Sequence, residues 1–317
     1  MLQGIAAAVH DTAAGYIPEH APTSTRRELQ AVVDSAWQMY WAADYSEAGA
    51  LLPPLLYAAH RAAHEAADGE SGPALSALSD GYQVAAYVAN QLGRRDLAYT
   101  AATEASAAAR RAGDPIRTAR VEGCRSWIYR KDGRVKDSLA IAERAAASIE
   151  PSYSAASTAQ LTAYGNLVMH CAVASSRLER EQPARDYLSQ AHAVGARLGR
   201  EYHAHGGQFG PANAAAKAVD VLLAVKQVGQ ALDLISTFHG QADLAPAVRH
   251  RYQLDVALAQ CEARQWDTCL DTLLAVCTEA PDWARHQTLP AVIVSRLQGG
   301  SQSRLRKVSA ILGSTPA

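Results

Sequence analysis

The stretch Tyr129-Arg-Lys-Asp-Gly133-Arg-Val135-Lys-Asp-Ser138 decides how this chain folds. An apolar-periodic run ends at Tyr129, a polar turn follows at Asp132-Gly133-Arg134, and a small residue, Ser138, then faces back across the turn. That order reads as two helices packed closely side by side. The same device recurs in both directions. Turns fall at Ala43-Asp44-Tyr45, Gly93-Arg94-Arg95-Asp96 and Arg264-Gln265-Trp266, and near Glu179–Glu181 and Lys226–Gly229. A small residue follows each, at Ala48, Ala98, Ala184, Ala231 and Cys269. Their spacing varies between about 38 and 50 residues, the range of helical-repeat arrays. The expected fold is therefore all-α: an α-solenoid of about six helix pairs plus a C-terminal capping helix.

Composition agrees. Alanine supplies 67 of 317 residues and phenylalanine only two, which favours helix over strand. Gly113-Asp114-Pro115 and Glu150-Pro151-Ser152 punctuate helices. Gly206-Gly207-Gln208-Phe209-Gly210-Pro211 is the strongest break. The organisation expected is an N-terminal helix or arm over 1–25, repeats one to four over 26–205, repeats five and six with the cap over 206–312, and a frayed tail over 313–317.

Thirty Lys+Arg against 31 Asp+Glu leave a net charge of −1. A domain that grips phosphate backbones carries a basic excess, so direct nucleic-acid binding by this chain alone is not expected. No apolar run reaches the length of a membrane span. The apolar start Met1–Val9 lacks the basic flank of a signal peptide. Five cysteines without a CxxC pair read as reduced core thiols of a cytoplasmic protein rather than zinc ligands. Nucleotide-binding and nucleophile-elbow motifs are absent, so no catalytic residue is assigned and no cofactor or metal is expected. His60 and His64 share a helix face, but Glu65 stands outside the zinc-protease arrangement. His203 and His205, the nearest approach to a metal pair, lack an evident third ligand; with Asp220 they form the one acid/base grouping worth noting.

In the pair quoted above, Tyr129, Gly133, Val135 and Ser138 occupy the aromatic, turn, apolar and small positions of the tetratricopeptide frame. Tyr82, Ala86, Gly93 and Ala98 do so in the pair before it. Four segments, in order, resemble the C-terminal tetratricopeptide region of actinobacterial helix-turn-helix regulators of the XRE type. They are Tyr45-Ser-Glu-Ala-Gly-Ala-Leu-Leu-Pro-Pro-Leu-Leu, Asn90-Gln-Leu-Gly-Arg-Arg-Asp-Leu-Ala-Tyr-Thr-Ala-Ala, Arg110-Arg-Ala-Gly-Asp-Pro and Phe209-Gly-Pro-Ala-Asn213. The resemblance spans roughly Arg26 to Leu312. It implies an effector-sensing module of a transcriptional regulator that acts as a homodimer. The departure is at the front: only about 25 residues precede the first pair, where such regulators carry a helix-turn-helix domain. Met1–Ile17 is compatible with the last helix of a truncated one and equally with a plain N-terminal helix.

In such solenoids the first helices of successive pairs line the concave face. Fitting the frame places there Trp37, Tyr40 and Trp41; Gln83, Tyr87 and Asn90; Arg120, Trp127 and Arg130; Asn166 and Arg177; Asn213 and Asp220; and Arg251. Aromatic rings and guanidinium groups suit an extended peptide or a polar aromatic metabolite. Asparagine amides suit a peptide backbone, and Arg120 with Arg130 suits a carboxylate. Each has a plain alternative. Trp37 and Trp41 fit the core of the first pair, the arginines fit a solvated face, and Asn213 fits a helix start after Pro211. The rival to effector sensing is a protein-interaction scaffold with no small ligand; an enzyme built in the channel is the third reading. An enclosed inner face favours the ligand, an open groove the protein partner. Trp283 and Val292–Val294 are the suggested dimer surface.

Overall fold

Between the two helices of each pair the backbone makes the same turn. Ala43, Gly93, Gly133, Glu179, Lys226 and Arg264 all hold left-handed φ values, between 58° and 77°. In every case the next residue's N–H donates to the carbonyl five positions back, as Arg134 does to Tyr129 at 2.9 Å and Gln265 to Gln260 at 2.9 Å. This is the Schellman closure of a helix end. The small residues that follow, Ala48, Ala98, Ser138, Ala184, Ala231 and Cys269, are all fully buried. Absence of bulk there lets the paired helices approach.

The computed structural model describes residues 1–67, 69–152, 155–204 and 206–313. The tail 314–317 and His205 lie outside the described residues. The first helix of each pair is α2 (Arg26–Trp41), α4 (Gly72–Gln91), α6 (Pro115–Lys131), α8 (Thr158–Arg177), α10 (Pro211–Ala224) and α12 (Pro246–Glu262). Their partners are α3 (Tyr45–Glu65), α5 (Arg95–Arg111), α7 (Val135–Ser148), α9 (Glu181–Leu198), α11 (Val228–Thr237) and α13 (Trp266–Glu279). The six expected pairs are present. Asp44, Asp114 and Ser157 cap three of the helices with side-chain oxygens, and Thr25 with Glu28 forms a capping box on α2.

The chain's first helix, α1 (Leu2–Ala13), packs on α3, α4 and α5. Ile5, Ala8 and Val9 are fully buried, and Tyr82 Oη donates to Thr12 Oγ1 at 2.6 Å. The segment is thus part of the repeat core. The cap is three short helices rather than one: α14 (Pro281–Arg285), α15 (Leu289–Arg296) and α16 (Gln302–Leu312). Pro281, Pro290 and the Gly299-Gly300 pair divide it. All five cysteines are buried and free.

Two features close the solenoid on itself. One apolar cluster runs from Ile5, Leu29 and Leu56 at the front to Leu254, Trp283 and Val308 at the back. The last pair and cap therefore pack against the first pair. The second feature lies at the break expected near 206–211, between α9 and α10. A hairpin forms there, β1 (Tyr202–Ala204) pairing antiparallel with β2 (Gly207–Phe209). Phe209 is fully buried over Gly165 of α8, where an added Cβ would collide with the ring. At the turn, the Gly206 carbonyl accepts from Trp41 Nε1 at 3.0 Å. Gly206 also lies flat on the Trp37 indole, leaving no space for a side chain. The hairpin thus straps the fourth and fifth repeats to the first. No described helix is long and apolar enough to cross a membrane.

Candidate ligand-binding cavity

Closure leaves a cavity of about 610 Å³ on the inner face. Its walls follow from the turn as a ruler. Counting back from the left-handed residue, the inward positions are six residues before it (Tyr87, Trp127, Asp220) and two before it (Trp41, Gln91, Lys131, Arg177). Further back come the ninth (His170, Lys217) and the thirteenth (Asn166, Asn213, Arg251). These steps of three and four keep one helix face turned inward. All six first helices contribute, and the cap adds Trp283, Gln287 and Thr288.

Ten of the fourteen residues expected on this face line the cavity: Tyr40, Trp41, Tyr87, Trp127, Arg130, Asn166, Arg177, Asn213, Asp220 and Arg251. Gln83 and Arg120 line a neighbouring space of about 40 Å³ with His170 and Gln208. Arg120 already has a carboxylate partner through one nitrogen, while its Nε and Nη1 are buried without a hydrogen bond. Its Nη2 donates to Asp80 Oδ1 at 2.6 Å and to Gln83 Oε1 at 2.9 Å, and Arg117 shares the same Asp80. Trp37 and Asn90 line neither space. Trp37 is 4% exposed, stacked on Trp41 and against Gly206. Asn90 is buried beneath the wall with neither amide atom hydrogen-bonded. Trp283, suggested as dimer surface, is buried and turned toward the cavity, and Ile293 is fully buried; only Val292 is exposed on that segment. His203 is exposed on β1. No group of three metal-ligating side chains occurs among the described residues.

One wall is aromatic. Tyr87 and Trp127 stack with centroids 5.1 Å apart, and Trp41 and Tyr40 meet Tyr87 edge-on. Another part of the wall is charged. Asp220 Oδ1 accepts from Arg177 at 2.5 Å and from Arg251 at 3.4 Å, while Arg251 also donates to Asp255 at 2.8 Å. Burial alone would raise Asp220, but Arg177, Arg251, Lys217 and Arg130 outweigh it and hold the carboxyl below its usual range. Burial raises Asp255 behind it.

The cations feel the opposite stress. Burial, reinforced by Arg251, Arg95 and Arg130, lowers Lys131 to about 8. Burial also lowers Lys217, with Arg251 adding to it, and brings Arg130 to about 10. His170 falls to about 3 through burial and the nearby Arg130 and Lys217. It is neutral at pH 7, which suits its Nδ1 as acceptor for Arg130 Nη1 at 3.4 Å. As cavity residues, Lys131, His170, Lys217, Gln208 and Trp283 escaped the sequence reading. Lys217 had a signal, since it stands between Asn213 and Asp220 on the same face.

The chain matches no protein-family model and no curated protein.

Proposed function

We propose that this chain is the effector-binding module of a transcriptional regulator, with a small effector held in the central cavity. The observation that carries the reading is the cavity itself: a space of about 610 Å³ to which the first helix of every repeat contributes. That volume lies in the range of small-molecule sites. A ligand touching all six repeats would favour one superhelical pitch over others, which is how binding can select a conformation. In two paired copies, a change of pitch would re-space attached DNA-binding domains. The resemblance of the four segments to XRE-type regulators supplies that output. Native mass spectrometry of the protein purified from its own organism tests the reading. A small molecule retained at unit stoichiometry, and lost on Trp127→Ala, is the expected result. Recovery of a protein partner alone, bound with the cavity empty, would replace it with an interaction scaffold.

A further inference from the structure

The charges around the cavity do not balance. Five cationic side chains face it, Arg130, Lys131, Arg177, Lys217 and Arg251, against one carboxylate, Asp220. Some are accounted for within the protein. Arg177 and Arg251 pair with Asp220, and Arg251 with Asp255 as well. Lys131 Nζ donates to Gln91 Oε1 at 2.9 Å and lies 5.2 Å from the Trp127 ring centroid. Two remain. Among the described residues Arg130 hydrogen-bonds only the neutral His170, with Asp220 acting on it without an ion-pair contact. Lys217 makes no hydrogen bond or ion pair among the described residues. They stand on α6 and α10, and the Arg130 charge helps to lower Lys217. Asp220, the carboxylate that acts on both, is already shared by Arg177 and Arg251, so these two half-buried cations lack a carboxylate of their own, and an anion between them lowers the cost of holding them there.

We infer that the cavity takes a small ligand carrying a planar ring at one end and an oxyanion, carboxylate or phosphate, at the other. The inference rests on the effector-binding reading and specifies its chemistry. Trp127 and Arg130 are three apart on α6, so the stacking wall and the anion site adjoin. The ring lies against Trp41, Tyr87 and Trp127, where flat apolar surface is buried in well-defined geometry. The oxyanion bridges the Arg130 guanidinium and the Lys217 ammonium, both able to donate charge-assisted hydrogen bonds. With Nδ1 accepting from Arg130, His170 keeps Nε2–H as a further donor.

The test uses two fluorescent probes of nearly one shape: 1-anilinonaphthalene-8-sulfonate, which is anionic, and N-phenyl-1-naphthylamine, which lacks the sulfonate. On the full chain the anionic probe should bind once and at least about tenfold more tightly than the neutral one, the range of one charged hydrogen bond. Lys217→Gln and Arg130→Gln should each weaken the anionic probe about tenfold and leave the neutral probe within about twofold. Lys217→Arg should retain the preference, and Trp127→Leu should weaken both probes. The wild-type ratio needs no variant, so a misfolded substitution leaves the test intact. Competition by 1-naphthoate and 1-naphthyl phosphate then separates the two oxyanions, with 1-naphthalenemethanol as the uncharged comparison. Equal binding of both probes, still released by Trp127→Leu, would overturn the anion assignment and leave the cavity reading standing. Binding of neither probe in a Trp127-dependent way would remove both.

Discussion

Glu179, Lys226 and Arg264 hold left-handed backbone at φ values of 58°, 63° and 60°. Glycine fills the same position of the same turn at Gly93 and Gly133. An L-residue in that conformation costs about 1–2 kcal/mol. Glycine avoids the cost but gives the unfolded chain more freedom, which takes back about 0.4–1 kcal/mol. The three side chains are exposed and make no hydrogen bond or ion pair among the described residues, so nothing else is lost. Glu179→Gly, Lys226→Gly and Arg264→Gly should therefore each stabilise the protein by about 0.5–1 kcal/mol. The turns lie in different pairs, so the triple variant should gain roughly 1.5–3 kcal/mol. The readout is the urea midpoint followed by far-ultraviolet circular dichroism, at unchanged slope. Ala140→Gly, within α7, is the control: there the same replacement should cost about 1 kcal/mol. If Glu179→Gly lost stability as Ala140→Gly does, the repeated turn would not be the strained element described above.

Three further outcomes are expected. Ala184→Leu adds bulk at a fully buried small position between α8 and α9 and should cost at least about 1–3 kcal/mol in the same urea assay. Gly165→Ala drives a Cβ into the Phe209 ring and should undock the hairpin, seen as faster hydrogen exchange at Gln208 and Phe209 while the helices stay protected. Lys131 faces Gln91 of α4, Arg95 of α5 and Arg251 of α12, besides Trp127 and Arg130 on its own helix, and titrates near 8. Anilinonaphthalene-sulfonate affinity should fall as pH rises through about 8, because the neutral amine no longer attracts the anion. Stability of the unliganded protein should move the other way. Its unfolded state binds the proton more tightly, so the Lys131 contribution rises from about pH 8 toward the unfolded value near 10.4.

The pairs were legible because the turn is local. A residue forced to left-handed φ and a small residue five positions later are both visible within one short window, even where Glu179 or Arg264 replaces glycine. Inward positions follow from the same ruler, and this is why Trp127, Asn166 and Asp220 could be placed on the cavity wall. Lys217 and Lys131 obey the ruler too, but a lysine on a helix ordinarily reads as solvated surface. Only the closed ring makes it a wall residue. That closure was not legible. It depends on the small rotation from each repeat to the next, summed over six pairs, and on a hairpin whose partners, Trp37 and Trp41, lie some 165 residues away in sequence. Summed rotation also explains why Trp37 left the site. Once the ring closes, Gly206 settles on its indole, and a side chain that would face an open groove becomes the seat of the strap. The strap and the cavity then form one mechanical unit: Trp41 bonds the Gly206 carbonyl and also lines the aromatic wall, so a ring stacked there bears directly on the contact that holds the first repeat to the fourth and fifth.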